Sequence, residues 1–494
     1  MCWDPNFEPG PRLLRLAYRL MQEGNRGEAL SAAIGAQQLL PNRLEPYTVL
    51  SAVYDKIPGL EEWQIKAADA GLSTPPSIGD DPQEDLMRAD LHYNKALALN
   101  RLYRWQEALE VTNLSHRLNQ SNPWTMGLAA QLLDELGQTE LAIKFNRGAV
   151  ALIEAPDNPY AKQEPARKFR RETYLALAIC YLNAGDLPKY FEYFEKRLEL
   201  GGTERIENRL YQAGELWRPR QAIRSHAVLI LEQGIGDQIQ FARLAKTFRE
   251  EYSYITELIV HCHPAVKSVM SRMPWFDGAI STWEGFEEEA TFISSFDLIR
   301  WNFERGESEP FGAWTGPYIK ANRTADIPRE AARDGTQKSV IGFCWQGSKS
   351  HVYDWARSFP LETFLAWAEP RKDRCTFVSL QHGEDAKLPD WIIDGDRGPF
   401  DELAEVVNAC DVIVGPDTAP LHLAGAMGKP VVMLHTFNQE WRWKRPERFY
   451  AKTFRHLRQS VPGNWKEVLS RLGPELDNIL SAVEQAELQT AMAR

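Results

Sequence analysis

His226–Leu231 reads HAVLIL and runs straight into Glu232-Gln233-Gly234-Ile235-Gly236-Asp237. A short, β-branched apolar run of this kind reads as a buried strand. The two glycines then let the backbone turn tightly into a helical stretch that continues to about Glu251. A strand that passes through glycines into a helix is the opening unit of a parallel α/β sheet. The same alternation continues C-terminally. Ile255–Cys262 reads as a strand, Pro264–Met273 as a helix and Gly278–Thr282 as a strand. The Trp- and Gly-rich stretch 283–335 breaks the pattern and is expected to hold the linker between two lobes. Alternation resumes with strands at Ser339–Trp345, Thr376–Gln381, Val412–Val414 and Val431–Leu434. Helices at Leu361–Ala368, Asp401–Ala409 and Ala419–Met427 separate them. The expected result is two Rossmann-like lobes, 222–325 and 336–494, facing each other across a cleft.

N-terminal to this region the period changes. Residues 10–41 carry Leu16-Ala17, Leu20, Gly24, Ala29, Ala36 and Pro41, small and large positions of a helix–turn–helix repeat of about 34 residues. Ala96 with Ala108 and Ala130 with Ala142 repeat the offsets, and Leu177-Ala178, Tyr181 and Gly185 give a further copy. A degraded copy fits 44–76, with Tyr54, Ala67 and Ala70 in register. Small residues let paired helices approach, and large ones fill the groove of the next pair. Residues 1–205 are therefore expected to form a tetratricopeptide α-solenoid, interrupted by loops at Ser73–Pro82 and Ala155–Pro165. Such arrays bind peptides or partner proteins on a concave face.

The composition sets bounds. With 57 basic and 68 acidic residues the net charge is −11, which argues against a nucleic-acid footprint built on global positive charge. The six cysteines form no C-x-x-C pair, which suits a reducing compartment and argues against a zinc site or a disulfide framework. No apolar run reaches membrane-span length, and Met1–Pro5 lacks the features of a signal peptide, so a cytoplasmic location is expected.

Four clusters could carry chemistry. Gly234, Gly236 and Asp237 stand at a strand-to-helix turn. Asp237 is either a helix cap or a carboxylate at the ligand-bearing edge of the sheet, with Glu232 beside it. In Gly415-Pro416-Asp417-Thr418-Ala419-Pro420-Leu421-His422, Thr418 and His422 lie four apart, so they share a helical face at a helix N-terminus that suits a diphosphate. Gly347, Lys349 and Arg357 follow a strand end, where the cations either neutralise a phosphate or are solvated. Glu440-Trp441-Arg442-Trp443-Lys444-Arg445 alternates aromatic and basic residues, for stacking on a nucleobase, contacting an acceptor peptide or packing the lobes. Asp394/Asp396 and Asp80/Asp81 resemble metal ligands but have no His or third carboxylate nearby, and no metal is expected.

These motifs together resemble the bacterial tetratricopeptide-repeat glycosyltransferases, whose catalytic half is similar to the heptosyltransferases and has the GT-B architecture. The layout is also similar to protein O-GlcNAc transferase. The resemblance rests on EQGIGDQIQFARL at 232–244, GPDTAPLHLAGAMGKPVVML at 415–434, and EWRW, RHLRQ and GNW between 440 and 465. It implies an enzyme that moves a sugar from a nucleotide-sugar to an acceptor hydroxyl by an inverting, metal-independent displacement with no cofactor. Asp237 is the implied general base, with Glu232 as runner-up. Donor binding falls to Gly234, Gly236, Gly347, Lys349, Arg357, Asp417, Thr418, Ala419, His422 and Trp441. Ala419 departs from the heptosyltransferases, which have Gly after Asp-Thr. The implied acceptor is a protein or peptide held by the repeats. A glycan or lipid-linked acceptor, or a non-catalytic adaptor, are the alternatives.

Overall fold

Helix pairing in the N-terminal third follows from small residues at fixed places. The computed structural model describes residues 8–76, 81–163, 165–202, 205–282, 290–313, 315–332, 335–349, 354–383, 387–396, 398–444, 449–450 and 453–492. Cys2, Asp80 and the segment 283–289 of the expected linker lie outside them. The chain divides into two units, Met1–Gly201 and Gly202–Arg494.

The first unit is a series of antiparallel helix pairs: α1 (Pro9–Gln22) with α2 (Arg26–Leu39), α3 (Leu44–Asp55) with α4 (Glu61–Leu72), α5 (Pro82–Arg101) with α6 (Trp105–Leu118), α7 (Pro123–Glu135) with α8 (Thr139–Glu154), and α9 (Ala166–Asn183) with α10 (Leu187–Glu199). Ala17, Ala29, Ala96, Ala108, Ala130, Ala142 and Ala178 are all fully buried where paired helices touch. Seven residues after the first small position the turn takes a left-handed residue: Gly24, Gly137 and Gly185 at φ near +80°, and Tyr103 at φ 60° in the third pair. The second pair departs from this register. Ser51 fills its small position, bound by Asn94 Nδ2 at 2.9 Å, and the connecting loop is longer. Ala70, expected in register, is exposed, while Gln64 and Ala68 are fully buried.

The second unit holds two all-parallel sheets. The first has the order β3-β2-β1-β4. Its strands are β1 (His226–Ile230), β2 (Glu257–His261), β3 (Gly278–Ile280) and β4 (Thr291–Ser294). The second has the order β10-β9-β8-β5-β6-β7. It comprises β5 (Ser339–Phe343), β6 (Cys375–Ser379), β7 (Ile392–Asp394), β8 (Val412–Pro416), β9 (Val431–His435) and β10 (Phe454–Arg458). Central strands such as β8 and β9 are buried along their whole length, as parallel strands covered on both faces must be.

The stretch 283–335, expected to hold the linker, also holds regular structure that its mixed signals did not reveal. Within it, β4 pairs in parallel with β1 and runs directly into the helix Ser295–Glu304, capped by Ser294 Oγ accepting from Asp297 N at 3.0 Å. A four-residue strand that abuts its helix leaves no turn residues to mark it. Strand β10 is likewise absent from the sequence reading, because as an edge strand it alternates basic and apolar residues, FRHLR. The C-terminal helix Trp465–Met492 is a further element beyond that reading; its Leu472, Leu476 and Ile479 pack into the core formed by Phe343, Phe364, Trp367 and Phe377.

Candidate functional site

The two motifs singled out in the second unit, about 180 residues apart in sequence, meet at one place. After α11 (Ile206–Ala213) and β1, Gly234 caps α12 (Ile235–Phe241), and α12 packs on the helix Ala419–Ala426 that follows β8. A Cβ on Gly236 would stand 2.6 Å from Cδ2 of His422, so only glycine admits the imidazole there. The turn before it is strained. Gln233, a non-glycine residue, sits at φ 69°, a conformation that costs about 1–3 kcal/mol and recurs at functional sites.

Asp237 serves two partners. Its Oδ2 accepts from the Gly234 N–H at 3.0 Å, which is the cap, and its Oδ1 is ion-paired with the Arg442 guanidinium from the opposite lobe. Arg442 lies in the 3-10 turn Trp441–Lys444 and is held on every side. Its Nε donates to Gln240 Oε1 at 2.9 Å, its Nη1 pairs with Glu440, its N–H donates to Glu440 Oε2 at 2.9 Å, and its guanidinium stacks 4.4 Å above the Trp441 ring. Burial pushes the Glu440 carboxyl up to about 7 against the pull of Arg442.

Asp417 is the second anchor. Its Oδ1 meets His422 Nε2 at 2.9 Å and its Oδ2 accepts from the Trp443 indole N–H at 2.7 Å. Burial alone would raise its carboxyl. The His422 bond and charge, Arg442 and the Trp443 bond outweigh that and hold it well below the usual carboxylate range. Among the described residues, His422 Nδ1 is buried without a hydrogen-bond partner.

The other expected donor residues fall differently. Thr418 is buried, and its hydroxyl turns back into the core, 3.1 Å from Pro416 O and 3.3 Å from Cys344 Sγ. Ala419 opens the helix, Pro420 has no N–H, and the N–H groups of Leu421 and His422 close onto Thr418 O at 3.1 and 3.3 Å. The helix end therefore offers a diphosphate few free donors. Arg357 spends Nε on Asp354 at 3.0 Å and Nη1 on Asp417 O at 3.0 Å, and Gly347 is small because those side chains fill the space beside it. Lys349 is exposed. Trp441 packs on Phe311, with ring centroids 4.9 Å apart, as well as carrying Arg442. Arg442, Glu440 and Trp443 stand at the centre of the site. Only their alternation in EWRW marked them in sequence.

Glu232, nearly fully buried, lines a cavity of about 390 Å³ at the C-terminal ends of β1, β2 and β3, together with Gln233, Gln238, His261, His263 and Arg205. Asp396, tempting as a metal ligand, instead closes a loop: it accepts from His382 Nδ1 at 2.9 Å and from the N–H groups of Gly383 and Gly398. Among the described residues no group of three His, Cys, Asp or Glu side chains is placed to hold a metal ion, and no helix is long and apolar enough to cross a membrane.

Behind Trp443, His435 Nε2 and His456 Nδ1 share a hydrogen bond of 2.8 Å. Burial, with each ring's cationic neighbours, lowers them to about 3 and about 4. Both are neutral in the folded chain, whereas unfolded imidazoles titrate near 6.5. Below that value unfolding takes up protons at both rings, so their contribution to stability is full above about pH 6.5 and falls as the pH drops toward 4. The low-lying Asp417 carboxyl acts in the same direction at lower pH. The Glu440 carboxyl, raised to about 7, works in the opposite sense over the same range, because the fold takes up its proton as the pH falls. The expected outcome is therefore a difference: between about pH 7 and pH 5 the melting temperature of wild type falls relative to that of His456→Gln. Calorimetry of both proteins across that range checks it, and a difference that does not change with pH contradicts it.

Residues 396–462, which contain Asp417, His422 and Arg442, match the model of glycosyltransferase family 9 (heptosyltransferase). Over 445 residues the chain is 24% identical to Protein FlbA of Caulobacter vibrioides (strain ATCC 19089 / CIP 103742 / CB 15), covering 78% of this chain and 72% of that protein. Among solved structures, MamA 41-end from Desulfovibrio magneticus RS-1 is 18% identical with a TM-score of 0.31, covering 39% of this chain and 96% of that one. TTC0263, a thermophilic TPR protein in Thermus thermophilus, is 19% identical with a TM-score of 0.30, covering 41% and 97%. The chain thus joins a tetratricopeptide-type helical array to an α/β unit of two Rossmann-like lobes, the second of which carries a heptosyltransferase-like glycosyltransferase segment.

Proposed function

We propose that the second unit transfers a sugar from a nucleotide-sugar to an acceptor hydroxyl with inversion and without a metal, and that the helical array recruits a protein acceptor. The observation that supports this most is the meeting of Asp237 with the Asp417–His422 block, which brings a carboxylate to the edge of the segment that resembles a donor site. Asp237 accepts the acceptor's hydroxyl proton as the oxygen attacks the anomeric carbon, and the bond to the diphosphate breaks with its electron pair leaving on the phosphate oxygen. The cavity beside Glu232 and Gln238 receives the acceptor. Asp417 fixes His422 and Trp443 as the wall against which the donor rests.

The test is a thermal-shift screen of the full chain against a panel of nucleotide-sugars, followed by transfer assays with and without EDTA. A donor that raises the melting temperature, and transfer that survives EDTA, are expected. His422→Ala should weaken that donor by about tenfold in calorimetry while leaving the circular dichroism spectrum unchanged. Unchanged donor affinity in this variant removes His422 from the site. Turnover abolished by EDTA removes the metal-free mechanism.

A further inference from the structure

A donor diphosphate brings at least two negative charges into a site that already holds three carboxylates, Asp237, Asp417 and Glu440, gathered around Arg442. Apart from the exposed Lys349, the groups expected to neutralise it are committed elsewhere. Thr418 faces the core, Pro420 has no N–H, the Leu421 and His422 N–H groups close onto Thr418 O, and Arg357 holds Asp354 and the Asp417 carbonyl. Arg442 is different. Like Arg357 it carries a planar guanidinium fork suited to phosphate, but it sits on a short 3-10 turn and its ion pairs are with Asp237 and Glu440. One of its partners, Asp237, is the carboxylate that the proposed reaction needs free.

We propose that Arg442 has two positions: without donor its guanidinium holds Asp237, and when a diphosphate enters it turns onto the phosphate oxygens and releases the Asp237 carboxylate to act as base. This rests on the glycosyl-transfer reading. The exchange couples the two half-sites, because the base becomes available only once the donor is in place, so an acceptor is not deprotonated beside an empty donor site. Glu440 keeps the arginine tethered in both positions through its N–H and side-chain bonds.

The experiment measures inorganic pyrophosphate binding to the full chain by calorimetry in wild type, Asp237→Asn, Arg442→Met, Arg442→Lys and the Asp237→Asn/Arg442→Met double variant, each first checked for a cooperative melt. Pyrophosphate should bind wild type. Arg442→Met should weaken it by about tenfold or more, the worth of a charge-assisted hydrogen bond, and Arg442→Lys by less. Asp237→Asn should bind several-fold tighter, because the competing carboxylate is gone, and that gain should vanish in the double variant. A gain that persists without Arg442 shows simple charge repulsion by Asp237 and overturns the proposal. So does wild-type affinity in Arg442→Met, or no binding of pyrophosphate to wild type. Absence of transfer from every nucleotide-sugar, with the pyrophosphate cycle as expected, defeats the glycosyl-transfer reading and leaves Arg442 as an anion ligand.

Discussion

Asp237→Asn is expected to lower sugar transfer by about 10²–10⁴, the usual loss when a positioned general base is removed, while the variant should fold and bind donor at least as well as wild type. The fold survives because asparagine keeps an oxygen for the Gly234 N–H, the 3.0 Å bond that caps α12, and asparagine caps a helix about as well as aspartate. What it loses is the negative charge that pairs with Arg442 and that, in the proposed reaction, takes the proton. The two roles of Asp237 thus separate in one variant. A capping role alone predicts near-normal turnover; a base predicts a fall in kcat with no rise in the donor KM. Steady-state kinetics with saturating acceptor reads the difference, and an active Asn variant overturns the assignment.

Asp417→Ala carries the largest expected stability loss, about 3 kcal/mol, because it strands two buried donors at once. The Trp443 side chain is almost fully enclosed and its indole N–H has its 2.7 Å bond only to Asp417 Oδ2, while His422 loses its 2.9 Å partner. Asp417→Asn is milder, since an amide oxygen still accepts from the indole and the change then removes charge more than hydrogen bonding. Urea unfolding near pH 7 of both variants checks the order. Equal losses in the two would show that charge, not the stranded indole, dominates.

The sequence was most legible where one local pattern governs one element. The 34-residue spacing of Ala96 and Ala130 announces helix pairs because a small residue is demanded at each helix crossing, and the turn seven residues on demands a left-handed conformation. The departures are equally physical: Tyr103 adopts that conformation without being glycine, and Ala70 is exposed because the second pair has a longer loop. The apolar runs of β1, β5, β8 and β9 declared a parallel α/β unit by themselves, since strands buried on both faces need continuous hydrophobicity. Edge and very short strands such as β10 and β4 gave no such run.

At the site, the residue types singled out Asp237 and the Asp417–His422 block, but only the tertiary structure decided what each side chain touches. Thr418 and His422 share a helical face in sequence, yet the Thr418 hydroxyl turns to Pro416 O because a buried hydroxyl seeks the nearest acceptor. Gly236 reads as a flexible turn residue, whereas its reason is the imaginary Cβ that would strike His422, a neighbour some 186 positions away. Arg442 looked like one cation in an aromatic-basic string. Its place between Asp237, Gln240 and Glu440 depends on two lobes closing on each other, and long-range pairing of charges leaves no periodic trace in a chain, which is why the central arginine of this site became visible only in three dimensions.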